Sequence, residues 1–104
     1  FIMPWYIYVA YFFGGAFVAN VIPHLIAGIG GQRLPSPFAS PPFKGLSSPP
    51  VNVAWALANL AFAYVLLVRF TSLDLRNSSE AVAVFLGFAL MSFQCARSFA
   101  RLRT

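Results

Sequence analysis

From Phe1 to Ile29 the sequence holds not one Asp, Glu, Lys or Arg. An apolar run of that length constrains the chain more than any other feature, because about 20 apolar residues in a helix cross the hydrocarbon core of a bilayer. Two further runs, 51–70 and 79–99, repeat the pattern with charges only near their edges. Of the 104 residues, 60% are hydrophobic and 9% charged, against roughly a quarter charged in ordinary soluble domains. A domain this small also leaves much of its surface exposed. Together these exclude a water-soluble globule and a disordered tail. Inside lipid every backbone polar group must be paired, which leaves helices and closed barrels. The runs are continuous rather than alternating and too long for single barrel strands. The expected fold is therefore all-α: a small integral membrane protein with three transmembrane helices, one membrane domain over 1–104. No internal repeat is visible.

Local signals set the expected boundaries. Pro4 suits a first helical turn, and Pro23 is expected to kink or end the helix. The first crossing is thus expected over 4–22, with a bent extension to 29. It reads as a retained span rather than a signal peptide, since no basic stretch precedes it and no small-residue cleavage site leads into a soluble domain. Gly28-Ile29-Gly30-Gly31 lacks the third glycine and the strand context of a dinucleotide fingerprint; it reads as a helix ending that requires positive φ. Residues 30–50 carry six of the eight prolines, a density that prevents helix and favours extended polyproline structure. Leu34, Phe38, Phe43 and Leu46 keep this segment amphiphilic, so a fixed loop against the membrane surface or a partner is expected. The second span is expected over 51–70, entered through Ser47-Ser48-Pro49-Pro50. Asn77 followed by Glu80 resembles a capping box and opens a third span over 79–99, followed by a basic tail at 100–104. Ser92 and Gln94 weaken that third run, for which an interfacial helix is the competing reading.

The net charge is +5. Arg33, Lys44, Arg69, Arg76, Arg97, Arg101 and Arg103 flank the apolar runs and form no single stripe, so nucleic-acid binding is not expected. With three spans, Arg33, Lys44, Arg97, Arg101 and Arg103 share one side, and Arg69 and Arg76 the other. By the positive-inside rule the Pro-rich loop and the C-terminus are cytoplasmic, with Trp5, Tyr6, Tyr8 and Tyr11 as the opposite aromatic belt. The expected setting is a bacterial inner membrane or a photosynthetic membrane derived from it. Arg97, Arg101 and Arg103 are the expected contacts to anionic lipid headgroups.

Helices in lipid associate through small residues and polar contacts. The sequence offers Ala10-x-x-x-Gly14, Gly15-x-x-x-Ala19, Ala54-x-x-x-Ala58 and Ala83-x-x-x-Gly87. Asn52, Ala56, Asn59 and Ala63 share one helical side. Asn59 falls near mid-bilayer and needs a partner: a backbone carbonyl, Asn20 or Gln94. Asn52, Asn59 and Gln94 are the expected interhelical polar contacts. Cys95 is the single cysteine, so it forms no intrachain disulfide, and it reads as a small hydrophobe.

Chemistry is sparse. Asp74 and Glu80 are the only carboxylates, both outside mid-membrane, which argues against a proton-coupled carrier. There is no carboxylate pair, metal-ligand cluster or nucleophile triad. No enzymatic activity and no metal site are expected. The leading expectation is a non-catalytic accessory subunit of a larger membrane complex, photosynthetic or respiratory, in contact with other membrane subunits and lipids. The alternative is a cofactor-binding subunit. His24 would face the same side as Asn20 and ligate a chlorophyll or haem, or Trp55 and Phe side chains would line a quinone or carotenoid slot. A homo-oligomeric channel or carrier is the third reading.

Overall fold

The structure is a computed structural model and describes residues 4–103. It is all-helical. Helix α1 spans Trp5–Ile29, α2 Pro49–Tyr64 and α3 Ser78–Ala100. A single wide turn of i→i+5 type, Val65–Arg69, prolongs α2, and a short 3₁₀ turn, Arg101–Arg103, follows α3. Each of the three helices is long and apolar enough to span a membrane, which points to a membrane location.

Helix α1 is the centre of the molecule. It packs against both α2 and α3, whereas α2 and α3 do not pack on each other. Glycine makes both contacts possible. A Cβ on Gly15 would run into the Val84 carbonyl, and one on Gly87 into the Phe12 carbonyl. The backbones of α1 and α3 therefore touch there, a closeness that any side chain would prevent. On another side of α1, Gly14 receives Leu67, and Gly28 receives Val53 and the Pro49 carbonyl. Neighbouring residues such as Gly14 and Gly15 point about 100° apart on a helix, so the two partners occupy different sides of α1. A further side, bearing Phe17, Asn20 and His24 at i, i+3 and i+7, remains between them.

Pro23 does not end the first helix: α1 continues as α-helix to Ile29, the limit expected for its extension. A proline costs one backbone hydrogen bond but is tolerated where neighbouring helices hold the segment. Here Gly28 is seated on the start of α2, and His24 is bonded to Asn52. The helix then closes as a Schellman motif. Gln32 N donates to Ala27 O, Gly31 N donates to Gly28 O, and Gly31 takes φ +76°, the left-handed conformation that glycine adopts without a Cβ penalty.

The Pro-rich segment is not an extended polyproline stretch. Its ends are bridged by Ser47 N donating to Leu34 O at 2.9 Å, and its interior folds into turns around the buried Ser36 and Ala39. Helix α2 begins two residues earlier than expected, with Ser48 as N-cap accepting from Val51 N and Pro49-Pro50 in its first turn. At the other end of the molecule, Asn77 Oδ1 caps α3 by accepting from Ser79 N and Glu80 N. The capping box closes only halfway: the Glu80 carboxylate accepts from Asp74 N at 2.9 Å, tying the interhelical turn down. Glu80 is buried there beside Tyr11 and Thr71, and Tyr8 shares a hydrogen bond with Ser79.

Gly87→Val is expected to force α1 and α3 apart and to destabilise the protein by about 1–3 kcal/mol, the usual cost of overpacking. The check is an unfolding titration in mixed micelles, with Phe93→Val, on the exposed side of α3, expected to unfold like the parent.

Candidate functional site: a cleft under the Pro-rich loop

The free side of α1 forms the floor of a cleft of about 440 Å³. Phe17, Asn20 and His24 come from α1, Trp55 and Asn59 from α2, and Met91, Gln94, Cys95, Ser98 and Phe99 from α3. The loop covers one end with Pro35, Ser36, Pro37 and Phe43.

The roof is held by Asn52, which is fully buried. Its amide nitrogen donates toward Leu34 O, Ser47 O and Ser48 O at 3.1, 3.1 and 3.2 Å. Two hydrogens serve three carbonyls, so one is shared. The other end of the amide, Oδ1, is 2.7 Å from His24 Nδ1. The three carbonyls fix which end of Asn52 is which, since an oxygen could not face them. His24 Nδ1 therefore carries the proton and donates it. His24 is linked to the loop through Asn52.

A second set of bonds crosses all three helices one turn deeper. Cys95 Sγ makes a weak bond to Asn20 Oδ1 at 3.5 Å, Asn20 Nδ2 donates to Asn59 Oδ1 at 3.1 Å, and Asn59 Nδ2 donates to Trp55 O at 2.7 Å. Asn59 thus finds two of the partners the sequence named for it, Asn20 and a backbone carbonyl. Gln94 is a correction: its amide donates to Ser98 on its own helix and makes no interhelical bond to Asn59. Cys95, read as a small hydrophobe, is the polar contact α3 supplies instead. Gly87, Met91 and Cys95 follow at four-residue steps on one side of α3.

Aromatic rings close the gaps. Trp55 meets Phe38 of the loop edge-on at 5.5 Å, and His24 meets Phe99 edge-on at 5.7 Å. The Arg101 guanidinium donates to Phe43 O at 2.9 Å and to Ser98 O, fastening the loop to the end of α3. Phe43 itself takes φ +64°, a left-handed conformation that costs a non-glycine residue about 1–2 kcal/mol. Arg97 is exposed in the last turn of α3, where a cation suits the helix dipole. The side chain of Arg103 lies outside the described residues. Sequence reading missed Ser36, whose hydroxyl pairs with that of Ser47, together with Phe43, Met91, Ser98 and Phe99. Among the described residues, no group of three His, Cys, Asp or Glu is placed to hold a metal ion.

No family model matches the chain, and comparisons with curated proteins and with solved structures also give no match.

Replacing Asn52→Leu would leave the Ser47 carbonyl and the His24 N–H unpaired, and would take a side-chain donor from Leu34 O and Ser48 O, which keep only their backbone partners. It is expected to cost about 2–4 kcal/mol, since each unmet buried group costs about 1–3 kcal/mol before relaxation. Release of the loop is the specific signature: trypsin should cut faster after Lys44 in Asn52→Leu, while Asn59→Leu, deeper in the bundle, should leave that site as slow as in the parent.

Proposed function

We propose that this chain is a non-catalytic subunit of a larger integral membrane assembly of the photosynthetic or respiratory kind, where it fills space, holds lipid and fixes the position of a neighbour. The observation that carries the reading is how little of α2 and α3 the chain covers by itself: 22% and 11% of their most apolar stretches are buried. Lipid alone can cover apolar helices, but α2 also turns Ala54, Ala58 and Ala61 away from its buried Asn52, Ala56, Asn59 and Ala63 side. Small residues at that spacing offer lipid no advantage and let another helix approach closely. The scarcity of ionisable groups within the spans supports a role in assembly over one in proton-coupled transport.

The same reading sets the topology. Five of the seven basic residues fall on the side of the loop and the C-terminus, which supports a cytoplasmic location for both. A bacterial inner membrane, or a photosynthetic membrane derived from it, is the setting in which we place the assembly.

Two measurements test this. Solubilised in mild detergent from its own membrane, the protein should migrate on a native gel with other polypeptides; migration alone, near its 11.4 kDa plus detergent, overturns the subunit reading. A reporter active only in the cytoplasm, fused after Thr104, should be active, and silence of that fusion reverses the orientation.

A further inference from the structure

Among the described residues, the buried ring of His24 brings to the cleft a polar atom that the fold leaves unused. With Nδ1 of His24 donating to Asn52, the neutral ring carries its lone pair on Nε2. Among the described residues no donor meets that nitrogen. Among the described residues no fully buried side-chain nitrogen or oxygen lacks a partner, so Nε2 retains some accessible surface. His24 is 3% exposed, and it lines the cleft, so the cleft is where a ligand would reach Nε2, a fixed acceptor.

We propose that the cleft binds a membrane-soluble phenol, the chemical class that includes reduced quinones, with its hydroxyl donated to His24 Nε2 and its ring among Trp55, Phe43 and Phe99. Three features select this class. The acceptor calls for a donor, and its tautomer is set by Asn52, a partner that also orients the ring. A side chain only 3% exposed suits a small donor such as a hydroxyl. A tetrapyrrole would need open space all round the coordinating nitrogen, and a ring 3% exposed does not provide it. The lining then sorts by depth. Aromatic rings surround the loop end, while Phe17 and Met91 line the part farther from the loop, where an alkyl or isoprenoid tail would continue toward lipid. The volume, about 440 Å³, lies in the ordinary range for small-molecule sites. Met91 adapts its shape and favours aromatic neighbours.

The test uses the full chain in detergent, with Trp5→Phe in the background so that Trp55 is the only tryptophan. Trp5 lies outside the cleft and is exposed. Trp55 fluorescence is titrated with 4-octylphenol, with its methyl ether 4-octylanisole, and with 4-octylcyclohexanol. The phenol is expected to give a saturable change and to bind roughly five- to tenfold more tightly than the ether, the worth of one net hydrogen bond. The cyclohexanol should fall below the phenol because it lacks the flat ring. His24→Asn keeps an amide nitrogen at the position of Nδ1 for Asn52 and removes Nε2, so it should bind phenol and ether equally. No saturable binding, equal binding of phenol and ether by the parent, or a preference retained in His24→Asn overturns the proposal. So does a cyclohexanol as tight as the phenol. The comparison within the parent needs no variant to fold. It also uses the isolated chain, so its outcome is separate from whether the protein travels with partners.

Discussion

A buried amide must find a partner for each of its hydrogens and for its oxygen, and Asn52 meets that demand in a way that organises the loop end of the molecule. Its nitrogen gathers three backbone carbonyls, two at the bridged ends of the loop and one at the N-cap of its own helix. Its oxygen takes the proton of His24 on α1. One side chain therefore joins the start of α2, both ends of the loop and the segment of α1 beyond Pro23. Leaving such groups unpaired in an apolar interior would cost several kcal/mol, so the arrangement holds the loop as a fixed roof. The same geometry decides the tautomer of His24 and gives the cleft its acceptor.

The opposite end of α1 is tied differently. There Tyr8 and the buried Tyr11 meet Ser79, Glu80 and Thr71, and the Glu80 carboxylate secures the short turn before α3. Between the two ends, contact rests on glycine. Gly15 and Gly87 bring α1 and α3 together, Gly14 and Gly28 bring α1 and α2 together, and no comparable contact joins α2 to α3. A three-helix molecule built around one central helix in this way keeps an open side, and the polar residues of that side become the lining of a cleft.

Much of this was legible in the sequence. The three helices follow from apolar length and charge placement. The inner side of α2 followed from the spacing of Asn52, Ala56, Asn59 and Ala63, and all four are buried. The Gly31 helix ending followed from the rule that L residues avoid positive φ. The limit of the first helix at Ile29 was also legible, and contacts with α2 hold the segment beyond Pro23. The proline-rich segment was misleading. Composition favours an extended chain, but Ser36, Ser47 and Asn52 supply bonds that composition does not register. Gln94 and Cys95 exchanged their expected roles because a difference of one residue turns a side chain by about 100° around a helix, and only the packing of α3 fixes which one faces Asn20.

The sequence alone determined that the chain forms apolar helices, where they begin and end to within a few residues, and which side chains could not remain unpaired there. Those outcomes depend on local spacing and on the free energy of moving groups from water into hydrocarbon, both of which can be read along the chain. Only the tertiary structure decided that α1 lies at the centre, that α2 and α3 stay apart, and that His24 meets Asn52 in the lining of a cleft. Those depend on the relative rotation of three helices, fixed by backbone contacts at glycines far apart in the chain, and hydrophobic periodicity carries no record of that rotation.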